Sequence, residues 1–489
     1  MINHYMHIKS LFMMSFILSG CSLAPHYQAA QVTVPEQFKE SVSTQQDSNW
    51  LIAQPNDTQA KGEWWLVFQD AQLNELQQLT LQSNQNIRAA LANIKASRAL
   101  LKSARAEATP QVDVQFGPNR SKASPASLGL NRDAQTSTQT LWRAQANISY
   151  EIDLFGRVAS HVNAANADLE QQQAQYFALL LALQADVAQH YFLIRQLDSE
   201  QRIYEQMIKL LSDSRDLIQF RFRHGAVSEL DLFRAQTELS IAETNALNIQ
   251  RNRATLEHAL AILIGKAPAD FSLNVQPLSH QKVHVPSGLP STLLERRPDI
   301  AAAERAMAAT NARIGIARTA FFPRLNLTST FGYESSELHH LADWSSRTFL
   351  LGPAAGAILA LPLFDGGKRK AGVKYAEANY EESVAVYRQT VLNAFREVEN
   401  RLSDQRILDQ QIKTQAAALS SAQKANRISH SRFREGMISY LDVIDTDRNT
   451  LQQELLSAQL YGQRMTISVD LIRALGGGWQ SKDALTMSH

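Results

Sequence analysis

The fold of this chain is decided by the stretch RFREGMISYLDVIDTDR, residues 432–448, because a near copy, RFRHGAVSELDLFRAQT, occupies residues 221–237. A shift of 211 positions gives seven identities in the first twelve positions. In each copy a glycine, Gly225 or Gly436, separates two long helical patterns, and a serine follows three residues later. Glycine accepts the left-handed backbone that ends a helix, and serine caps the helix that follows. Each copy is therefore predicted to form the tip of a helical hairpin.

The duplication extends over most of the chain. The shift of 211 also superposes Leu260 on Leu471, and a shift of 213 superposes Pro110 on Pro323. Repeats of about 200 residues are much longer than the units of solenoid proteins. The predicted organisation is a signal peptide (1–20), a leader with short equatorial helices (21–85), a first repeat (86–266), an equatorial linker (267–297), a second repeat (298–479) and a tail (480–489).

Cys21 is the only cysteine among 489 residues, which excludes disulfides within the chain and cysteine-based zinc sites. It follows a lysine, a short apolar run and the sequence LSG, residues 18–20, in the order of a bacterial signal peptide. LSGC resembles the lipobox of bacterial lipoproteins, and this resemblance implies that Cys21 carries lipid such as palmitate and anchors the chain to outer-membrane lipid. The resemblance also implies that Ser22, because it is not an aspartate, lets the lipoprotein move on to the outer membrane. An ordinary signal peptide with an incidental cysteine is the alternative.

After Pro110 the sequence changes to a period of two residues. Apolar positions alternate with polar ones from Gln111 onwards and again, without exception, from Trp142 to Leu154. A strand with one apolar and one charged face suits a membrane barrel around a water-filled lumen, although a β-sandwich strand would also alternate. The residues predicted to face the lumen are Asp113, Arg143, Glu151 and Asp153.

The second repeat shows the same change of period after Pro323. Alternation runs from Arg324 to Glu334, and the apolar run FLLGPAAGAILALPLF, residues 349–364, occupies the place of the second strand. This run contains two prolines and is shorter than the roughly 20 residues that a membrane-spanning helix needs, so we predict a strand. Four strands cannot enclose a lumen, and unpaired strand edges are not tolerated in lipid. If the strands span a membrane, several chains must pool them.

A very long helical pattern follows each strand pair. Apolar residues recur at spacings of three and four over residues 162–194 and 373–402. Sustained repeats of this kind indicate coiled-coil-like packing. A soluble four-helix bundle would explain the helices but not the strands. The predicted fold class combines a membrane β-sheet with long α-helices.

With both halves laid out, the chain resembles TolC/OprM-type outer-membrane channels, in particular the lipoprotein (NodT-like) branch that serves tripartite efflux pumps. The motifs that carry the resemblance span nearly the whole mature chain: WWLVFQD (64–70), RPDI (297–300), FFP (321–323), LPLFDGG (361–367), YLDVID (440–445) and LGGGW (475–479). The resemblance implies a homotrimer with a twelve-stranded outer-membrane barrel that continues into a periplasmic helical tunnel. Its partners would be a periplasmic adaptor and an inner-membrane efflux transporter.

The resemblance also implies where the channel is gated. Leu441 and Asp445 match positions that form an apolar ring and an acidic ring at the periplasmic constriction. Arg434 and Arg448 match positions that tie neighbouring hairpins together in the closed state.

The match at the predicted gate is not complete. Phe433 replaces a tyrosine that is common at its position in the family, which removes one hydroxyl-mediated tie. The first-repeat equivalent of Asp445 is Arg234, so the acidic ring would come from the second hairpin alone. A solvated helix residue is the alternative interpretation of Asp445.

The remaining function classes find little support in the sequence. A formal net charge of +1 gives no argument for nucleic acid, and the sequence contains neither a Gly-rich phosphate loop nor an HExxH motif. We therefore expect no enzymatic activity, no cofactor and no metal. The adjacent His339 and His340, in a loop predicted to be external, are interpreted as solvated. The competing function is a non-conducting periplasmic coiled-coil lipoprotein that acts as an adaptor or spacer.

Overall fold

The computed structural model describes residues 23–40, 62–279, 283, 296–351 and 357–477. The signal peptide and Cys21 predicted from the sequence lie outside these residues. Within them the α-helices are α1 (Ala71–Ser83), α2 (Gln85–Ala106), α3 (Arg157–Arg223), α4 (Glu229–Leu263), α5 (Pro298–Thr319), α6 (Lys368–Arg434) and α7 (Tyr440–Ala474). The strands are β1 (Gln111–Lys122), β2 (Thr138–Ile152), β3 (Arg324–Ser335), β4 (Arg347–Leu351) and β5 (Ala357–Ala360).

Corresponding elements of the two repeats have equal lengths. Helices α2 and α5 each have 22 residues, strands β1 and β3 each have 12, α3 and α6 each have 67, and α4 and α7 each have 35. The starting residues differ by 213 before the strands and by 211 after them. These four pairs of elements agree with the duplication seen in the sequence, whereas β2 has 15 residues and its described counterpart is β4 and β5.

The chain divides into two compact units, which we describe separately. The first, here called the strand unit, comprises residues 1–31, 93–172 and 302–387. Its antiparallel sheet has the order β1-β2-β3-β4, with β5 also paired to β3. In the described part of the chain, β1 forms one edge of the sheet, and β4 with β5 forms the other.

The fourth strand departs from the prediction. Its described parts are β4 and β5, and residues 361–365 are not in a strand, so the predicted strand over 349–364 is wrong at its carboxyl end. Pro362 explains this limit, because a proline has no N–H to donate to a strand partner. Leu351 pairs with Ser329, whereas Ala357 pairs with Leu327, so six positions along the fourth strand correspond to two along β3.

The register of β1, β2 and β3 places side chains of similar polarity beside one another. Val114, Ala146, Phe331 and Phe349 lie side by side across four strands. One position away, Asp113, Asn147 and Thr330 form a polar row. Because side chains of a strand alternate between faces, β1, β2 and β3 share one apolar and one polar face, as predicted. In the fourth strand, Leu350 of β4 and Ile358 of β5 lie in polar rows.

The first described residues of the leader contact α5. Residues 23–31 of the strand unit have no helix or strand. Asn311 on α5 donates to the Pro25 carbonyl at 2.9 Å, and the Tyr27 hydroxyl donates to Glu304 at 2.6 Å. Gly315 permits close contact, since a Cβ there would lie 2.6 Å from the Ala24 Cβ. The leader therefore packs along α5.

The second unit, here called the hairpin unit, comprises residues 32–92, 173–301 and 388–489. Its core contains aromatic side chains from the 3-10 helix Trp64–Phe68 and apolar side chains from α1, α3, α4 and α7. The Trp64 indole N–H donates to Gln184 at 3.0 Å, and the Asp70 carboxylate caps α1. One 18-residue window of α3 has a mean hydropathy of 1.4, and 44% of this window is buried within the protein.

A buried ionic network ties the predicted linker to the helices of this unit. Asp198 on α3 is almost fully buried and lies 2.6 Å from the Nε of Arg253 on α4. Asp198 also binds Arg195 at 3.1 Å and accepts a hydrogen bond from the backbone N–H of Gln276 at 2.9 Å. The carboxylate is fully paired, which offsets the large cost of burying its charge.

Candidate functional site

The two hairpin tips are built alike. Gly225 and Gly436 have φ angles of +70° and +75°. In each tip the N–H that follows the glycine donates to the carbonyl five residues earlier at 2.9 Å, which closes the turn. Ser228 and Ser439 then begin the next helix, each in a capping box with an aspartate three residues on. The stop and start signals predicted from the sequence are confirmed.

A small apolar core joins the two tips. It contains buried side chains from both hairpins: Ile218, Leu232, Ala235, Phe433, Tyr440, Val443 and Ile444. The Phe433 ring lies 5.5 Å from the Tyr440 ring, and the Arg221 guanidinium lies 4.9 Å above Phe433. Burial, reinforced by Asp447, raises the pKa of Tyr440 to about 12. Phe433 is therefore a packing residue in this chain, which is consistent with its lack of a hydroxyl.

The predicted gate residues share one face of α7. Leu441, Asp445 and Arg448 are exposed in this chain, whereas Val443 and Ile444 are buried. Spacings of four and three residues place the first three side chains in one stripe. The structure therefore brings together three of the four residues for which the resemblance implies a gate role, and the fourth, Arg434, lies at the end of α6.

The two predicted gate arginines differ in their surroundings. The Arg448 Nε lies 2.8 Å from the Glu238 carboxylate on α4, so this pair joins the first hairpin to the second within one chain. Glu238 is buried. The hydrogen bond to Glu238, with the nearby charge of Asp445, raises the pKa of Arg448. Arg434 is exposed, and its Nε donates to the His430 carbonyl of its own helix at 3.3 Å.

Sequence reasoning missed a buried polar cluster beside this stripe. The Asp447 carboxylate on α7 lies 2.7 Å from His430 Nε2 and 2.6 Å from Asn426 Nδ2, both on α6. Asp447 is 3% exposed. The sequence does indicate that position 447 is buried, because it lies at helical spacing from Val443 and Ile444, where an apolar residue is expected. The cluster fixes the two arms of the second hairpin to each other.

The first hairpin lacks an acidic counterpart of Asp445. Arg234 lies at the equivalent position, and its nearest carboxylate is Asp231 of its own helix, at 3.7 Å. The two hairpins of a chain therefore present different charges.

The polar face of the sheet is linked by hydrogen bonds. Arg143 Nε lies 2.8 Å from Glu334 on the next strand, and Thr330 donates to Asn147 at 2.7 Å. Asp113 lies in the same polar row as Asn147. These contacts connect side chains predicted to face a lumen.

The end of β2 nearest α3 differs from the prediction. Glu151 is paired with Asn326 in the sheet and lies 2.7 Å from Arg157 at the start of α3. Asp153 lies beyond the last residue of β2, and its carboxylate accepts a hydrogen bond from the Ala159 N–H at 2.7 Å. A carboxylate at a helix amino terminus stabilises the free N–H groups there. Asp153 thus contacts the first turn of the helix and is not a strand residue.

The comparisons with known proteins agree with this architecture. The family model described as "Outer membrane efflux protein" matches residues 76–266 and 289–477. The chain belongs to the outer membrane efflux protein family. It is similar to the antibiotic efflux pump outer membrane protein ArpC of Pseudomonas putida, at 33% identity over 96% of both chains. It is also similar to the cation efflux system protein CusC of Escherichia coli, at 31% identity over 96% of this chain and 98% of the relative.

A solved structure supports the same assignment. The outer-membrane channel OprN superposes with a TM-score of 0.84 at 26% identity, covering 94% of this chain and 100% of that chain. This family member is therefore an outer-membrane exit channel of an efflux pump that extends into the periplasm, and the competing non-conducting adaptor or spacer is not supported. The family is one of transport channels rather than enzymes. At the level of the family, these channels form trimers and work with an adaptor and an inner-membrane transporter.

Proposed function

We propose that this chain forms a homotrimer in which three sheets close into one outer-membrane barrel. The support is the pair of open sheet edges, β1 on one side and β4 with β5 on the other. Backbone N–H and C=O groups at such edges find no partner in lipid, and each unpaired group costs several kcal/mol. Joining the β1 edge of one copy to the β4 and β5 edge of the next satisfies them, and four strand positions per chain give twelve per trimer.

The polar face of the sheet then lines the lumen. Asp113, Arg143 and Glu151 belong to this face, whereas the apolar row that contains Val114 and Phe331 meets lipid. The large exposure of Val114 in a single chain, 78%, supports this orientation, because an apolar side chain that faces lipid needs no protein cover. Asp153 acts at the start of α3 instead.

The periplasmic end is closed by the second hairpins. Leu441 and Asp445 of three copies form an apolar ring and an acidic ring around the axis. Three carboxylates in a narrow ring repel one another and attract cations, so the ring itself does not favour closure. Closure needs stabilising contacts elsewhere.

Arg448 and Arg434 supply those contacts. Arg448 joins the two hairpins of one chain through Glu238, and the exposed Arg434 binds a carboxylate or carbonyl of a neighbouring copy. A pair of this exposure contributes about 0.2–1 kcal/mol, so three or six together hold a gate that an adaptor can still open.

The cargo is supplied by the inner-membrane transporter and its adaptor. Relatives of similar identity, 33% and 31%, are named for antibiotics and for cations. The duct is passive and carries what its transporter delivers. A lipidated Cys21 anchors each copy to the membrane, in addition to the strands.

The observation that carries the proposed gate is the exposed stripe of Leu441, Asp445 and Arg448 on α7, beside the apolar core that joins the tips. Its test is single-channel current of the purified trimer in planar lipid bilayers. Wild type should show low resting conductance, and Arg434→Ala combined with Arg448→Ala should raise it, with a smaller increase at high salt, where ion pairs are already screened. Arg251→Ala, in an exposed arginine of α4, is the matched control and should leave conductance unchanged. Failure of every variant to conduct would overturn the proposal.

A further inference from the structure

The loop between β3 and β4 brings three potential metal ligands together. The His339 Nε2 lies 3.2 Å from the Glu337 Oε2, and the His340 Nε2 lies 3.7 Å from the same oxygen. All three ligand atoms lie within 4.8 Å of one another. The side chains are exposed, so a cation reaches them directly from solvent.

These separations fit a tetrahedral zinc site. Zinc binds histidine nitrogen and carboxylate oxygen at about 2.0–2.2 Å, so two ligands of a tetrahedral ion lie about 3.3 Å apart. The His339 distance to Glu337, 3.2 Å, is close to this value, and the His340 distance, 3.7 Å, is slightly longer. Two histidines and one carboxylate are also a ligand set that binds zinc while leaving the fourth position to water.

A fourth side chain orients the second histidine. The Asp343 carboxylate lies 2.7 Å from the Nδ1 of His340. This contact favours the tautomer with hydrogen on Nδ1, which leaves the lone pair of Nε2 directed towards Glu337 and His339. Histidines that bind metals usually donate their other ring N–H to a carboxylate or carbonyl in this way.

The loop backbone holds these side chains in place. Leu341 is buried beneath the loop, and the Ser346 hydroxyl donates to the His340 carbonyl at 2.7 Å. The Arg347 guanidinium stacks on the Trp344 ring. Two short 3-10 helices, Leu338–His340 and Trp344–Ser346, complete the loop. Little ordering is therefore required when an ion binds, which preserves affinity.

We propose that Glu337, His339 and His340 form a binding site for a borderline divalent cation, Zn²⁺ in the first instance, with Asp343 as the residue that positions His340. The sequence alone led us to interpret the two histidines as solvated, because adjacent histidines in a loop usually are. The structure adds the carboxylate of Glu337 and the orienting contact of Asp343. The site lies in a strand-connecting loop of the strand unit and does not depend on the proposed gate.

The test is Zn²⁺ titration of the purified detergent-solubilised protein by calorimetry, with an affinity tag that contains no histidine. Wild type should bind one Zn²⁺ per chain. His340→Ala and Glu337→Gln should weaken this binding at least tenfold, and Asp343→Asn should weaken it by about 10- to 100-fold, as loss of an orienting partner does. His224→Ala, at an exposed histidine of the first hairpin tip, is the matched control and should bind like wild type.

Two results would overturn the proposal: the absence of saturable Zn²⁺ binding by wild type, or an affinity that the three loop variants leave unchanged. Cys21 is present in every variant, so any zinc it binds does not alter the comparison. Circular dichroism and gel filtration show whether each variant folds. Channel conductance of the same samples reports on the exit duct separately, so a failure of the zinc site is distinguishable from a failure of the proposed function.

Discussion

The Nε of Arg448 lies 2.8 Å from the carboxylate of Glu238, and this contact joins α7 of the second repeat to α4 of the first. Arg448 is exposed, whereas Glu238 is buried. The equivalents of these residues in the other repeat are Thr237 and Asn449, which cannot form the same ion pair. The duplication has thus produced one asymmetric tie per chain, directly beside the proposed acidic ring.

The first prediction concerns this tie. Glu238→Gln and Arg448→Ala should each raise the resting open probability in planar bilayers. Three ties at about 0.2–1 kcal/mol each correspond to an increase of about 3- to 160-fold. The double variant should open little more than either single variant, because both remove the same contact. Fully additive effects would show that the two residues act independently and that the pair does not hold the gate.

The second prediction concerns ion selectivity. Asp445→Ala should reduce the preference for cations over anions, because it removes three negative charges from the narrowest part of the proposed gate. Reversal potentials under a salt gradient measure this preference. Asp445→Glu keeps the charge and is the matched control. If Asp445→Ala leaves the reversal potential unaltered, Asp445 is a solvated helix residue and does not form an acidic ring.

The third prediction concerns the orientation of the sheet. Val114→Arg puts a charge on the face proposed to meet lipid and should impair assembly, since such a charge costs about 2–4 kcal/mol at the bilayer midplane. Asp113→Arg is the neighbouring change on the polar face and should still assemble. The yield of trimer extracted from outer membranes distinguishes the two. Equal yields from both variants would contradict the assignment of the faces.

The fourth prediction concerns pH. Burial raises the pKa of Glu200 above its ordinary value of 4.5, although Gln196 donates to it at 2.9 Å. A carboxyl group with a raised pKa in the folded state costs no stability below pH 4.5, and stability falls as pH rises from there through the folded-state value. Glu200→Gln should therefore raise the apparent melting temperature at pH 7 by a few degrees and have little effect at pH 4.

Melting followed by circular dichroism at one scan rate checks this expectation. Glu205→Gln, five residues further on at an exposed position of the same helix, is the control and should show no such pH-dependent gain. A melting temperature that falls at pH 7 in Glu200→Gln would show that the charged form of Glu200 stabilises the fold.

The fifth prediction concerns the membrane anchor. Cys21→Ala should abolish labelling by radioactive palmitate and block lipoprotein processing. Ser22→Ala keeps the cysteine and should be labelled normally. Persistent labelling of Cys21→Ala would show that the lipobox interpretation is wrong.

The sequence was most informative where a local pattern decides the structure. The glycine and serine at each hairpin tip specify a helix stop and a helix start within a few residues, and both were predicted. Alternation predicted the faces of β1, β2 and β3, because a strand places successive side chains on opposite faces. The equal lengths of the two hairpins followed from the shift of 211, which holds through both of them.

Contacts between distant segments were not readable. Nothing near Glu238 in the chain indicates Arg448. Helical spacing marks Asp447 as buried, but it does not identify His430 and Asn426 as its partners. The carboxyl end of the fourth strand depends on where the pairing of β5 with β3 stops, and the role of Asp153 depends on where β2 ends relative to α3. A difference of one or two residues in the end of a strand decides these outcomes, and hydrophobic periodicity does not locate strand ends that finely.

The matched lengths of α3 with α6 and of α4 with α7 constrain how the chain can change. Inserting seven residues into one arm lengthens it by about 10 Å, which exceeds the reach of any side-chain contact at the tip. The partner arm, and then both arms of the other repeat, need the same insertion before the two tips meet again. Substitutions accumulate singly, and the copies have diverged freely at positions such as Asp445 and Arg234. The length of these hairpins therefore changes only when all four arms receive the same insertion. Arm length is retained at places where residue identity has changed.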